Sequence, residues 1–476
     1  MTLLRSSVRA LRRVVIAAGA ALLALALFTP PASSVVPEPA TPCATEPATD
    51  PLRYVIVFDE GTAERQARRE ITKECGTPIE YYPRIAVAVA TSAAPDFGQR
   101  IGLDRAFSAQ AARRANLGNG GRQQQRPARD GHETTDRSGE QWDMRMINAH
   151  RARQAGIRGD RDVVVGVLDS GVDASHPDLA DAVDPRLSAN CLTGTPDTRP
   201  RAWRPTASPH GTHVAGVIAA ADDGIGTTGV APGTTLASIK VIGEHGYADP
   251  ESAVCGYMWA ARHDMRITNS SYFIDPWSLP CTNREGLDVA REAIGRAIDH
   301  ATKRGTTHVA AATNDAANLT PAVGAEAGCE ALPASIRPVI TVSATGEDRL
   351  KSGYSSYGLG VISVAAPGGS GDRCVLSTAP GGYRELCGTS MAAPHVSGVL
   401  ALIAAEHPDA SPERLRQRLT ANTQPLPCPD DYDLTGDGTQ DAYCTGYRAY
   451  NGFYGHGMVD AVAALGLSDV STDSRN

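Results

Sequence analysis

From residue 141 onward, short β-branched apolar runs alternate with helical patterns, and no other feature of the chain constrains its fold as strongly. The runs are "DVVVGVLD", "LASIKVI", "RITNSSY", "THVAAAT", "PVITVSA" and "VISVAAP"; helical patterns fall at residues 211–221, 250–263, 287–303 and 389–406. Such alternation is the pattern of a parallel sheet covered by helices on both faces. The predicted class is α/β, a doubly wound and mostly parallel sheet. Ligand chemistry in these folds sits at the carboxyl ends of the strands.

The segment before residue 141 has a different character. Arg5, Arg9, Arg12 and Arg13 precede an apolar run at residues 14–28, short for a membrane span and right for the core of a secretory signal, with Ala32 and Ser34 at the cleavage site. Residues 1–34 are predicted to be a signal peptide; a single membrane anchor is the competing reading. Secretion leaves no stable membrane partner once the signal is gone. Residues 35–51 form a Pro-rich spacer, and residues 52–103 a small α+β unit in which "LRYVIVF" and "RIAVAVAT" are strands around a charged helix. Residues 104–140 are expected to be an Arg-rich processing linker, polar and almost without apolar residues from 118 to 140 and so exposed and open to proteolysis. The main domain is expected at 141–466 and a tail at 467–476. The formal net charge is -8 with no polybasic block, which gives no support to a nucleic-acid partner.

Export turns the ten cysteines into a disulfide question. Cys374 and Cys387 stand symmetrically about "APGG", a hairpin turn, so they are predicted to be bridged across it. Cys428 and Cys444 bracket a polar loop. Cys191, Cys255, Cys281 and Cys329 allow three pairings, which the sequence leaves open.

Three residues stand where chemistry belongs. Asp169 closes the strand "VVVGVLD"; a lone aspartate there also serves as a turn or helix cap. His210 and His213 open the helix "HGTHVAG" on one face, as a metal pair, as a base beside a structural histidine, or as two satisfied polar groups. A zinc helix wants histidines four apart with a glutamate beside the first, and Gly211 is not that. Ser390 precedes the helix "MAAPHVSGVLALIAAEH" and is either its cap or a nucleophile, which needs a base and a group that orients the base.

"VLDSGVDASHPDL", "HGTHVAGVIAA" and "GTSMAAPHVSG" resemble the three signature segments of the subtilisin-like serine peptidases, in that family's order. The resemblance covers residues 141–465, including the closing "GHGMVDAVAAL", which is similar to the family's last helix. It implies a serine endopeptidase in which Ser390 attacks the scissile carbonyl, His210 moves the proton and Asp169 orients the imidazole. It implies an oxyanion donor at Asn314, in "VAAATN", with Thr313 where the family has glycine. "TNSSYF" corresponds to one wall of the specificity pocket, so Ser271, Tyr272 and Phe273 are expected to bind substrate, Tyr272 and Phe273 replacing a leucine and a glycine. No cofactor is implied for the chemistry. "DDGIGTTGVAP" is similar to the family's calcium loop, with Asp223 and the distant Asp178 as side-chain ligands of a structural calcium. "DLTGDGTQD", from Asp433, has oxygen groups at EF-hand-like spacing, but Cys444 stands where the last carboxylate belongs, so a bridged turn is expected. Residues 52–103 are similar in architecture to an inhibitory propeptide, which makes the chain a zymogen acting on protein or peptide substrates. A catalytically silent protein-binding scaffold and a metalloprotease using His210 and His213 are the competing functions.

Overall fold

The computed structural model describes residues 43, 50–115, 135–276, 286–321 and 329–467. The expected signal peptide, most of the Pro-rich spacer, residues 116–134 of the linker, Cys281 and the tail from residue 468 lie outside the described residues.

Residues 52–107 form an antiparallel sheet of β1 (Leu52–Val57), β2 (Thr77–Tyr82), β3 (Val87–Ser92) and β4 (Ala106–Phe107), in the order β2-β3-β1-β4. Successive side chains of a strand point to opposite faces. Tyr54 and Ile56 therefore meet Ala67 and Ile71 of helix α1 (Glu64–Lys73) on one face. Val55 and Val57 on the other join the core of the following domain. This sheet continues past the expected boundary at residue 103: β4 pairs with β1, Val55 opposite Phe107, and helix α2 (Ala109–Ala115) follows. Two residues carry no periodicity, which is why "AF" does not read as a strand.

The larger sheet has seven parallel strands: β5 (Val164–Asp169), β6 (Ala189–Asn190), β7 (Thr235–Lys240), β8 (Ile267–Ser270), β9 (Thr307–Ala311), β10 (Ile340–Thr345) and β11 (Ile362–Pro367). Their order is β11-β10-β9-β8-β5-β7-β6. The chain winds to one side of β5 through β6 and β7, then crosses to the other at β8. The carboxyl end of β5, where Asp169 stands, is thus the switch point at which such sheets open a crevice.

Alternation along β5 divides the two layers. Val165 and Val167 face helices α3 (His210–Ala219) and α6 (Thr389–Glu406). Leu168 faces α4 (Pro250–Arg262) and α5 (Leu287–Lys303). α6 is buried around nearly its whole circumference, as expected of a helix of small apolar residues with no polar stripe. α4 and α5 in turn carry the N-terminal sheet: Val55, Val57, Val87 and Phe107 share a core with Ala253, Tyr257, Ala290 and Ile294. Arg296 Nη1 donates to the carbonyls of Phe58 at 2.8 Å and Ile85 at 3.1 Å.

Disulfides join Cys43 to Cys75, Cys191 to Cys255, Cys374 to Cys387 and Cys428 to Cys444; Cys329 is also disulfide-bonded. The Cys374–Cys387 bridge closes the open end of the hairpin β12 (Val375–Ala379) and β13 (Gly382–Leu386), one residue beyond the pair Val375 and Leu386. The closing "GHGMVDAVAAL" is helical only over Ala461–Ala464, with Asp460 Oδ1 capping the amides of Val462 and Ala463. Gly455 and Met458 pair instead with Val364 and Ala365.

Candidate active site

Asp169 is 0% exposed at the end of β5. Its Oδ1 accepts from the Ser170 amide at 2.7 Å and from His210 Nδ1 at 2.8 Å. The approach is close because residue 211 is glycine: a Cβ there would lie 2.4 Å from the Gly171 carbonyl oxygen and 3.1 Å from Asp169 Cβ. Burial disfavours the imidazolium, but the Asp169 charge and its hydrogen bond outweigh burial, so the His210 pKa lies above the ordinary histidine value. With Nδ1 committed as donor, Nε2 is left with a lone pair at the cleft.

His213, on the same face of α3, is turned the other way. Its Nε2 donates to the carbonyls of Val375 at 3.0 Å and Arg384 at 2.9 Å, clamping the hairpin. Burial first, then the charge of His210, drives its pKa down to about 3. Nε2 is thus spent on two carbonyls, Nδ1 is buried without a partner, and among the described residues no three acidic, histidine or cysteine side chains group to hold a metal, which argues against the His210–His213 metal pair.

Ser390 opens α6 and shares a cleft of about 590 Å³ with His210, Asn314, Tyr272 and Phe273. Its Oγ donates to the Ser271 carbonyl at 3.2 Å rather than to His210. Pro394, inside α6, lacks the amide that would otherwise bond the Ser390 carbonyl. Ser271 Oγ replaces it, donating to Ser390 O at 2.9 Å. Asn269 Nδ2 holds Ser271 Oγ at 2.9 Å, and Ser397 Oγ donates to Asn269 Oδ1 at 2.8 Å. Ser271 thus holds the Ser390 backbone as well as lining the cleft. Pro394, four residues after Ser390, is the sequence signal that a carbonyl there needs an outside donor.

Asn314 is fixed by Thr389, whose amide and hydroxyl both donate to its Oδ1, at 2.9 and 2.8 Å. This leaves the Nδ2 hydrogens for the cleft. Thr313 has φ +79°, a conformation that is rare for a β-branched residue. Its Oγ1 bonds Ser356 Oγ at 2.8 Å and its carbonyl takes the Ser356 amide at 3.1 Å. Tyr272 is buried beside Tyr257, leaving Phe273 the more exposed of the two wall residues.

The expected calcium ligands do not suit a cation. Asp178 Oδ1 accepts from the Tyr383 hydroxyl at 2.9 Å, and Oδ2 from the Thr227 amide at 3.2 Å. Asp223 is exposed and uses Oδ1 on the Ile225 amide at 3.0 Å. Hydrogens, not spare oxygens, converge on Asp178, and among the described residues no three acidic, histidine or cysteine side chains group to hold a metal. In the second loop, Asp433 is likewise spent on the amides of Gly436 and Gly438, each at 2.7 Å.

Comparison with known proteins follows the same lines. The solved structure of the epidermin leader peptide processing serine protease EpiP from Staphylococcus aureus matches with a TM-score of 0.61 at 21% identity, over 88% of this chain and 99% of that one. That likeness sets the class: a subtilisin-like α/β fold. Residues 160–457 match the model of the subtilase family, Peptidase_S8, and the chain belongs to that family. Subtilisin Savinase of Lederbergia lenta is 34% identical over 279 residues, 58% of this chain and 89% of that protein. M-protease of Shouchella clausii (strain KSM-K16) is 34% identical over 279 residues, 58% of this chain but 63% of its own length.

Proposed function

We propose that this chain is a secreted serine endopeptidase made as a zymogen. The observation that carries the reading is the 2.8 Å bond between buried Asp169 and His210, in a cleft that also holds Ser390 and Asn314. His210 Nε2 takes the Ser390 proton as Oγ attacks the scissile carbonyl, and returns it to the leaving amine. Asp169 keeps the proton on Nδ1 and stabilises the imidazolium. Asn314 Nδ2 donates to the oxyanion as it forms. Water then releases the acyl group by the same proton path. No cofactor takes part, and calcium is not included, because Asp178 is already satisfied by internal donors.

Residues 1–34 would direct export, and the N-terminal domain, docked on α4 and α5, would act as an intramolecular inhibitor until the linker is cut. Among the described residues no helix is long and apolar enough to cross a membrane. The test is labelling of the processed chain by a fluorophosphonate together with hydrolysis of casein. Both are expected for the wild type and neither for Ser390→Ala. A processed, folded wild type that is neither labelled nor active would establish the protein-binding scaffold instead.

A further inference from the structure

A cationic side chain of this chain already sits in a built pocket at the edge of the cleft. Arg113 extends from α2, the last described element before residue 116. Its Nη1 donates to Asp249 Oδ1 at 2.6 Å, and its guanidinium lies over the Tyr247 ring, 4.5 Å from the centroid. An ion pair at the rim of a planar cation and an aromatic face beneath it together match a guanidinium. Asp275 braces the loop, Oδ2 accepting the Ala248 amide at 2.9 Å. Burial works against the Arg113 charge, but Asp249, Asp275 and Glu251 more than offset it and raise the pKa.

Two observations mark the pocket as a cation site rather than a helix cap. Asp249 is the N-cap of α4, where aspartate ordinarily accepts an amide of the first turn, yet its side chain makes no such bond. Glu251 is 1% exposed; Oε1 faces Arg53 Nη1 at 3.4 Å, while Oε2 is buried without a hydrogen-bond partner. Both arginines belong to the N-terminal segment. Cutting the linker and releasing that segment takes both away and removes the guanidinium that now joins Asp249 to the Tyr247 ring, with Asp275 and Glu251 near enough to act on a cation placed there. Tyr247 also lines the cleft that holds His210 and Ser390, whereas Asp249 stands outside the ring of residues around Ser390.

We infer that Asp249 and Tyr247 form a subsite for an arginine or lysine side chain of the protein substrate, at a residue removed from the scissile bond, which Arg113 occupies until the N-terminal domain departs. The inference rests on the peptidase reading of the cleft. It is tested on the processed enzyme obtained from the full chain, with fluorogenic peptides in which one arginine is moved along an otherwise neutral sequence. At one position other than that of the cleaved carbonyl, arginine is expected to raise kcat/KM over alanine by about tenfold or more, the size of a charge-assisted hydrogen bond. In Asp249→Asn that arginine-to-alanine ratio should fall close to one, and in Asp249→Lys it should invert in favour of glutamate. If the variants fail to mature, the wild-type scan still decides: hydrolysis with no basic preference at any such position overturns the subsite. A processed wild type that cuts none of the peptides and no casein overturns the peptidase reading instead.

Discussion

Two aspartate–histidine pairs anchor the two sides of the α6 core, and they use one chemistry for opposite purposes. At the cleft, Asp169 holds His210 at 2.8 Å. Behind it, Asp143 holds His395 at 2.9 Å, while His395 Nδ1 donates to the Met391 carbonyl at 2.8 Å. The His210 side chain is 19% exposed with one nitrogen uncommitted; Asp143 and His395 are both 0% exposed, with both ring nitrogens taken. Pairing with a carboxylate therefore does not make a histidine reactive. What separates the two is a lone pair that reaches solvent and substrate. The inner pair serves another end, tying the segment around Trp142 to the helix that carries Ser390 in its first turn.

The comparison breaks most visibly at His210. His210→Ala should lower kcat on the order of 10⁶-fold, measured on a peptide substrate. A drop of only about tenfold would show that another group is the base. Asp169→Asn should cost about 10⁴-fold by leaving the wrong tautomer. Its pH profile sharpens the point: the base must be neutral, so the rate falls as pH drops through the His210 pKa. Because Asp169 raises that pKa, its removal should move the acid limb to lower pH. Asn314→Ala should lower kcat about 10²- to 10³-fold with little change in KM. His395→Ala is the converse experiment. It should cost about 3–5 kcal/mol of stability, read from denaturant unfolding, by stranding the Asp143 charge, while the folded fraction keeps its fluorophosphonate labelling. Loss of labelling in a fully folded His395→Ala protein would put the inner pair in the chemistry after all.

The sequence displayed the main sheet because its strands are buried on both faces and so read as apolar runs; α5 and α6 match their expected bounds to the residue. β2, "TPIEYY", escaped for the opposite reason: it is largely exposed or half-buried, with a charged residue and a proline among its six. The residues of the candidate site were legible where they sat in local motifs at element ends. Their supports were not, because each is a contact between distant segments. Asp143 lies 252 positions from His395, and Ser271 lies 119 from the serine whose carbonyl it holds. Residues 244–247 also line the cleft, yet they form a polar loop without periodicity, and nothing in its composition announces that it borders a cleft. Calcium at Asp178 and Asp223 was an expectation carried by resemblance to a family loop, and such a resemblance is silent on whether donors or acceptors point into the loop.

The bridge between Cys374 and Cys387 stands one residue before the turn into Gly388, Thr389 and Ser390. Thiols stay reduced in the cytosol and pair once outside it. In a reducing compartment the hairpin that leads into α6 and Ser390 therefore lacks its covalent clasp. On the proposed reading of a secreted peptidase, the last stiffening of the cleft edge would come only on the oxidising side of the membrane.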